Sequence, residues 1–83
     1  MRYEDREIQY THHAKVRMKA RKISKVEVER IVRNGALHPD GLNKWIAWGM
    51  VDGRRIEVPF IETEDGTIEI LLVLTVIDKD KRW

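Results

Sequence analysis

The chain has 83 residues, of which 36% are charged, and it contains no cysteine. A chain of this length predicts one small domain spanning residues 1–83, and the lack of cysteine excludes disulfides, thiolate metal sites and a thiol nucleophile. The formal net charge is only +2, but basic residues are concentrated before residue 36, which favours a polyanionic partner. No apolar run reaches the ~18 residues of a membrane-spanning helix, so we expect a cytoplasmic protein that does not enter a membrane.

The first third of the chain predicts a short extended segment followed by two helices. Residues 8–10 lead into the first helix, which Thr11 can cap and which runs from about residue 12 to residue 21. Ser24 and Glu27 form a capping-box pattern at the start of the second helix. Gly35 ends that helix and is suited to a left-handed C′ position.

The rest of the chain predicts three strands, at about residues 44–51, 54–62 and 67–77, followed by a charged, frayed tail at residues 78–83. Residues 38–41 and 64–66 have turn composition, and Asp52-Gly53 predicts a two-residue hairpin loop. Pro59 places the second strand at an edge or at a bulge. The predicted fold is therefore α+β, with two N-terminal helices packed on one face of a three- to four-stranded antiparallel sheet.

Two apolar features predict either core or interface. Trp45 and Trp48 are three residues apart in one strand, so their side chains point to opposite faces of the sheet. One of them is expected in the core, and the other stacks a base or covers a partner. The apolar run at residues 70–74 indicates a central strand and leaves a homodimer interface open as an alternative.

Metal and cofactor chemistry find no support in the sequence. His12 and His13 are adjacent, so on a helix their side chains diverge by about 100° and do not ligate one ion together. No metalloprotease motif and no glycine-rich phosphate loop is present. We therefore expect no metal site and no cofactor.

The first helix carries the most informative pattern. His13, Arg17 and Arg21 are spaced four residues apart and form one stripe of an imidazole and two guanidiniums. Guanidiniums match phosphate oxygens, and imidazole titrates near neutral pH. RNA cleavage by the 2′-hydroxyl needs an acid or base and positive charge near the phosphorane but no cofactor. We assign the acid or base role to His13 and phosphate binding to Arg17 and Arg21, with Lys44, Arg54 and Arg55 approaching from the sheet.

The first helix contains the segment His13-Ala14-x-x-Arg17-Met18, followed by Arg21, Ile23 and Ser24, and the chain has Leu74-Thr75-Val76 late in its sequence. This pattern resembles a small family of bacterial and archaeal domains of unknown function. That family is similar to the BrnT and RelE toxins of type II toxin–antitoxin systems. The resemblance implies a RelE-like fold, metal-independent endoribonuclease activity on free or ribosome-bound mRNA, and a cognate antitoxin. It also implies that Thr75 lies near the groove and contacts phosphate.

Two other functions are compatible with the same sequence. The basic helix face also fits a non-catalytic module that binds nucleic acid or an acidic protein segment. The last strand supports this alternative, because Glu69 and Thr75 are its only polar residues besides the terminal threonine, and RelE-type toxins use basic or tyrosine residues there. A structural or regulatory homodimer is the third hypothesis.

Overall fold

The computed structural model describes residues 3–80, which form two helices and six strands. The elements in chain order are β1 (Glu7–Tyr10), α1 (His12–Arg21), α2 (Lys25–Asn34), β2 (Ala36–Gly41), β3 (Lys44–Val51), β4 (Arg54–Asp65), β5 (Ile68–Val73) and β6 (Ile77–Asp78). The strand order is β1-β5-β4-β3-β2, and β6 also pairs with β4.

The prediction of a three- to four-stranded antiparallel sheet of RelE type is wrong. The described residues contain a six-stranded mixed sheet, in which β1 pairs with β5 in parallel, Glu7 opposite Ile70. One of the additional strands, β2, comes from a segment whose local composition did not predict a strand. Residues 38–41, predicted as a turn, lie in β2 at the sheet edge, where Pro39 is tolerated because an edge strand has neighbours on one side only.

Pro59 has a different environment from the predicted edge or bulge. It lies in β4, which is central between β3 and β5. The predicted long third strand is interrupted after Val73 and resumes as β6 at Ile77. The Pro59 carbonyl accepts a hydrogen bond from the backbone N–H of Leu74, which lies in this break. The N–H and C=O of one residue point to the same side of an antiparallel strand, so the N–H that Pro59 lacks would also point toward the break. Its absence therefore removes no hydrogen bond between β4 and β5.

Both helices begin with the predicted caps. The Thr11 hydroxyl accepts a hydrogen bond from the backbone N–H of Ala14, and Ser24 and Glu27 form a complete capping box. The left-handed residue is at the end of α1, where Lys22 has φ 57°. Gly35 at the end of α2 has φ −73°, so the prediction of a left-handed Gly35 is wrong.

One face of the sheet carries the hydrophobic core. Ala47, Ile56 and Val58 are fully buried on this inner face. The helices contribute Ala14 and Met18 from α1 and three residues from α2 to the same cluster; the latter are Val28, Ile31 and Val32. The alternating residues of β3, β4 and β6 lie on the opposite side, which we call the outer face, defined by Trp48, Met50, Arg55, Glu57 and Ile77.

Candidate nucleic-acid groove

The stripe on α1 lies beside the last strand. His13, Arg17 and Arg21 are on the side of α1 next to residues 75–78, while Ala14 and Met18 anchor α1 in the core. Together they line a groove of about 310 Å³, which we call the α1 groove; its second wall is formed by Thr75, Val76, Ile77 and Asp78. The structure therefore brings four of the sequence-predicted residues, His13, Arg17, Arg21 and Thr75, to one site.

Hydrogen bonds fix the N-terminal end of α1 to the opposite wall. The Thr11 hydroxyl donates to the carbonyl oxygen of Leu74 over 2.8 Å while it caps α1. The Thr11 backbone N–H also donates to the carbonyl oxygen of Val73. Since Thr75 follows directly, this end of the groove has a defined width.

Arg54 fixes the other end. Its guanidinium donates to the carbonyl oxygen of Arg21 over 2.9 Å, at the C-terminus of α1. The same nitrogen lies 3.1 Å from Asp78 Oδ2, and the Asp78 side chain is only 2% exposed. The second Asp78 oxygen accepts the backbone N–H of Asp80. Hydrogen bonds thus join the two sides of the groove at both of its ends.

The charge of the groove is positive. The one carboxylate among the described residues that line it, Asp78, is neutralised by Arg54, which approaches from β4. Arg17 forms no ion pair with any residue in the described range 3–80. A guanidinium without a carboxylate partner, beside an imidazole and a second guanidinium, is an arrangement that favours an anionic ligand.

Of the three residues predicted to approach from the sheet, Arg54 reaches the groove and the other two lie elsewhere. Lys44 is at the start of β3, where its ammonium pairs with Asp40 at 3.6 Å. Arg55 projects from the outer face, pairs with Glu57 at 3.5 Å and stacks over the Trp48 ring. The structure does not bring either residue into the α1 groove, because both side chains project from the outer face of the sheet, whereas the groove faces α1.

Sequence reasoning missed Asp78 as part of this site. Asp78 belongs to a highly charged C-terminal stretch that predicts a frayed tail, yet it is buried and paired. Residues 81–83 of that predicted tail lie outside the described residues. A buried carboxylate at the end of an apolar segment has no local signature, since its partner Arg54 is 24 residues away.

Within residues 3–80, no group of three or more histidine, aspartate or glutamate side chains is arranged to hold a metal ion. None of the helices described is long and apolar enough to span a membrane.

Comparison with known proteins gave one family match. The family model of a domain of unknown function, DUF4258, matches residues 10–78. This range contains α1, α2 and both walls of the α1 groove. No curated protein and no solved structure matched the chain.

Proposed function

We propose that this chain, which belongs to the DUF4258 family of domains of unknown function, binds RNA in the α1 groove. It cleaves the RNA there without a metal ion, as an endoribonuclease toxin. The observation that carries the proposal is the meeting of His13, Arg17, Arg21 and Thr75 in one groove. The resemblance of the His13-Ala14-x-x-Arg17-Met18 segment to BrnT and RelE toxins supports the same reaction. A cognate antitoxin that masks the groove belongs to this proposal.

The proposed chemistry uses the groove residues as follows. His13 exchanges the proton of the attacking 2′-hydroxyl or of the leaving 5′-oxygen, because imidazole serves as acid and base near neutral pH. Arg17 and Arg21 stabilise the charge that builds up on the phosphorane. The Thr75 hydroxyl donates a hydrogen bond to a phosphate oxygen from the opposite wall.

A non-catalytic RNA-binding module is the second candidate, and a specific observation favours it. In-line cleavage is fastest with both an acid and a base. Among the described residues that line the groove, only His13 and Asp78 carry an imidazole or a carboxylate, and Asp78 is held in an ion pair with Arg54. A binding module needs only the guanidiniums.

One experiment separates the two functions. The purified protein is incubated with RNA in EDTA, alongside His13→Ala, Arg17→Ala and the control Lys19→Ala, whose side chain lies on another side of α1. For the endoribonuclease we expect metal-independent fragments, loss of about 100-fold or more in rate in His13→Ala, and wild-type rates in Lys19→Ala.

The outcomes distinguish the hypotheses. Equal cleavage by wild type and His13→Ala would refute the assigned mechanism. RNA binding without fragments, with and without ribosomes, would establish the binding module instead, provided that Arg17→Ala weakens that binding.

A further inference from the structure

We infer that the RNA recognised by this protein is single-stranded, and that it continues from the α1 groove over β6 to the outer face, where one base stacks on the Trp48–Arg55 pair. This inference rests on the proposed RNA binding in the groove and names the class of substrate. It assigns a second binding site, on the opposite side of the sheet from the core.

The Trp48–Arg55 pair has the geometry of a stacking platform. The guanidinium carbon of Arg55 lies 4.0 Å from the centre of the Trp48 ring. The Arg55 side chain is 43% exposed, and a carboxylate oxygen of Glu57 lies 3.5 Å from the Arg55 guanidinium. Aromatic rings and guanidinium planes are the two surfaces on which proteins stack unpaired bases. A base can therefore extend the existing stack on the exposed side of Arg55.

Two hydrogen-bond donors in this pair lack acceptors. The indole Nε1 of Trp48 and the Nε of Arg55 are enclosed, and neither has a hydrogen-bond partner among the described residues. Buried donors are almost always paired in folded proteins. An acceptor from outside reaches these enclosed donors only when the side chains around them shift, and RNA carries such acceptors on its bases and phosphates.

The platform is close to the groove along the sheet. Ile77 lines the groove and is directly opposite Glu57, which in turn is directly opposite Trp48. Neighbouring strands are about 4.8 Å apart, so Trp48 lies about 10 Å from Ile77 across the outer face. A flexible single strand can cross this distance over the narrow β6 edge.

The stack and the length of the α1 stripe favour a single strand over a duplex. In a double helix the bases are paired and stacked inside, so none is available to Arg55 without unpairing. The stripe on α1 extends for about 12 Å between His13 and Arg21, because eight residues rise 1.5 Å each. It therefore offers phosphate contacts along one strand rather than across a wide helical groove.

The test compares two RNA octamers that carry the same phosphates. One is an all-adenosine octamer and the other is abasic, both with 2′-O-methyl groups to prevent cleavage, and binding is measured by fluorescence anisotropy. We expect wild type to bind the adenosine octamer about 5- to 100-fold more tightly, and more tightly than the same octamer in a duplex. Trp48→Ala is expected to lose this preference.

Matched variants make the result specific. Trp48→Phe retains an aromatic ring and should retain most of the preference, whereas Arg55→Ala should reduce it. Arg30→Ala removes a charge elsewhere, at an exposed guanidinium that donates to the Met50 carbonyl oxygen, and should leave the preference unchanged. Arg17→Ala should weaken binding of both octamers by the same factor. Urea unfolding of each variant verifies that it is folded.

Several outcomes would overturn the inference. An unchanged preference in folded Trp48→Ala and Arg55→Ala, with both octamers weakened by Arg17→Ala, would refute the platform and leave the proposed function intact. Tighter binding of the duplex would refute the single-stranded substrate. If Trp48→Ala changes the molar mass in light scattering but not the preference, the outer face is an interface between copies. If neither octamer binds wild type, the proposed function fails together with the inference.

Discussion

Arg54 connects three elements of the site through one guanidinium. It comes from β4, donates to the last carbonyl of α1 and pairs with Asp78 of β6. A cation at a helix C-terminus is favourable because that end carries partial negative charge. The same contact holds Arg21 at a fixed distance from the opposite wall, so the residue that neutralises the groove also sets its shape.

We predict that Arg54→Met destabilises the protein by about 3 kcal/mol, because it leaves the buried Asp78 carboxylate without its cation. Adding Asp78→Leu should restore part of the loss, since the double variant contains no unpaired charge. Urea unfolding at pH 7 measures both. If the double variant is as unstable as the sum of the two single variants, the two residues are not coupled and this explanation is wrong.

Tyr10 is a second residue whose environment has a measurable consequence. Its hydroxyl is enclosed and has no hydrogen-bond partner among the described residues. Burial, followed by the nearby Glu29 carboxylate, raises the pKa of Tyr10 to about 12. The ammonium of Lys25 lies 5.4 Å from the centre of the ring, a contact that does not depend on the hydroxyl.

We predict that Tyr10→Phe leaves the stability at pH 7 unchanged or raises it by about 1 kcal/mol, because it removes an unpaired polar group. In wild type the unfolded tyrosine loses its proton first, so the free energy of unfolding falls as the pH rises from about 10 toward the folded pKa of about 12. This fall in the free energy of unfolding should be absent from Tyr10→Phe. Ultraviolet titration of wild type should resolve a phenol near that pKa, and a stability loss above 1 kcal/mol in Tyr10→Phe would contradict the assignment.

At the scale of the elements, local signals in the sequence predicted α1 and α2 and their caps. Thr11, Ser24 and Glu27 act on neighbours three residues away, so a short window of sequence contains the whole cause. The groove-lining stripe was predictable for the same reason, since it depends only on the helical period. The pairing of β1 with β5 was not, because Glu7 and Ile70 are partners across nearly the whole chain.

Gly35 illustrates how a residue can be singled out correctly for the wrong reason. Its backbone is not left-handed, but a Cβ added there would lie 2.4 Å from the Trp48 carbonyl oxygen and 2.6 Å from that of Ile31. The glycine is required because α2 and β3 approach each other closely at this point. Sequence alone showed a glycine at a helix end, and the commoner cause of that pattern is a left-handed cap.

We therefore predict that Gly35→Ala destabilises the protein by about 1–3 kcal/mol through this clash. Gly53→Ala is a suitable comparison, because Gly53 has φ 76° with open space around it, so its cost of about 1–2 kcal/mol comes from the backbone alone. Thermal unfolding of both variants tests the distinction. A neutral Gly35→Ala would show that α2 and β3 can move apart freely.

At the scale of the whole molecule, charge is separated along the chain rather than present in excess. The net charge is +2, yet the α1 groove contains two guanidiniums and a neutralised carboxylate. Polyanion binding by such a protein depends on a few local contacts. Its salt dependence should therefore be small and assignable to individual residues.

We predict that the logarithm of the RNA association constant falls with the logarithm of salt concentration with a slope of about −1.4, as expected for two phosphate contacts on a single strand. Arg17→Ala should reduce the slope by about 0.7, while Lys19→Ala should not change it. Anisotropy titrations between low and moderate salt give these slopes. A slope that Arg17→Ala does not alter would place the phosphate contacts outside the α1 groove.

The parallel pairing of β1 with β5 also has a consequence for synthesis of the protein. Thr11 and its partner Leu74 are 63 residues apart, and at about 5–20 residues per second the ribosome takes roughly 3–13 s to make that stretch. During this interval α1 can form locally, but the wall that contains Thr75 and Asp78 does not yet exist. The nascent chain thus carries its basic stripe well before it has a groove, and the complete site arises only after residue 78 has been made.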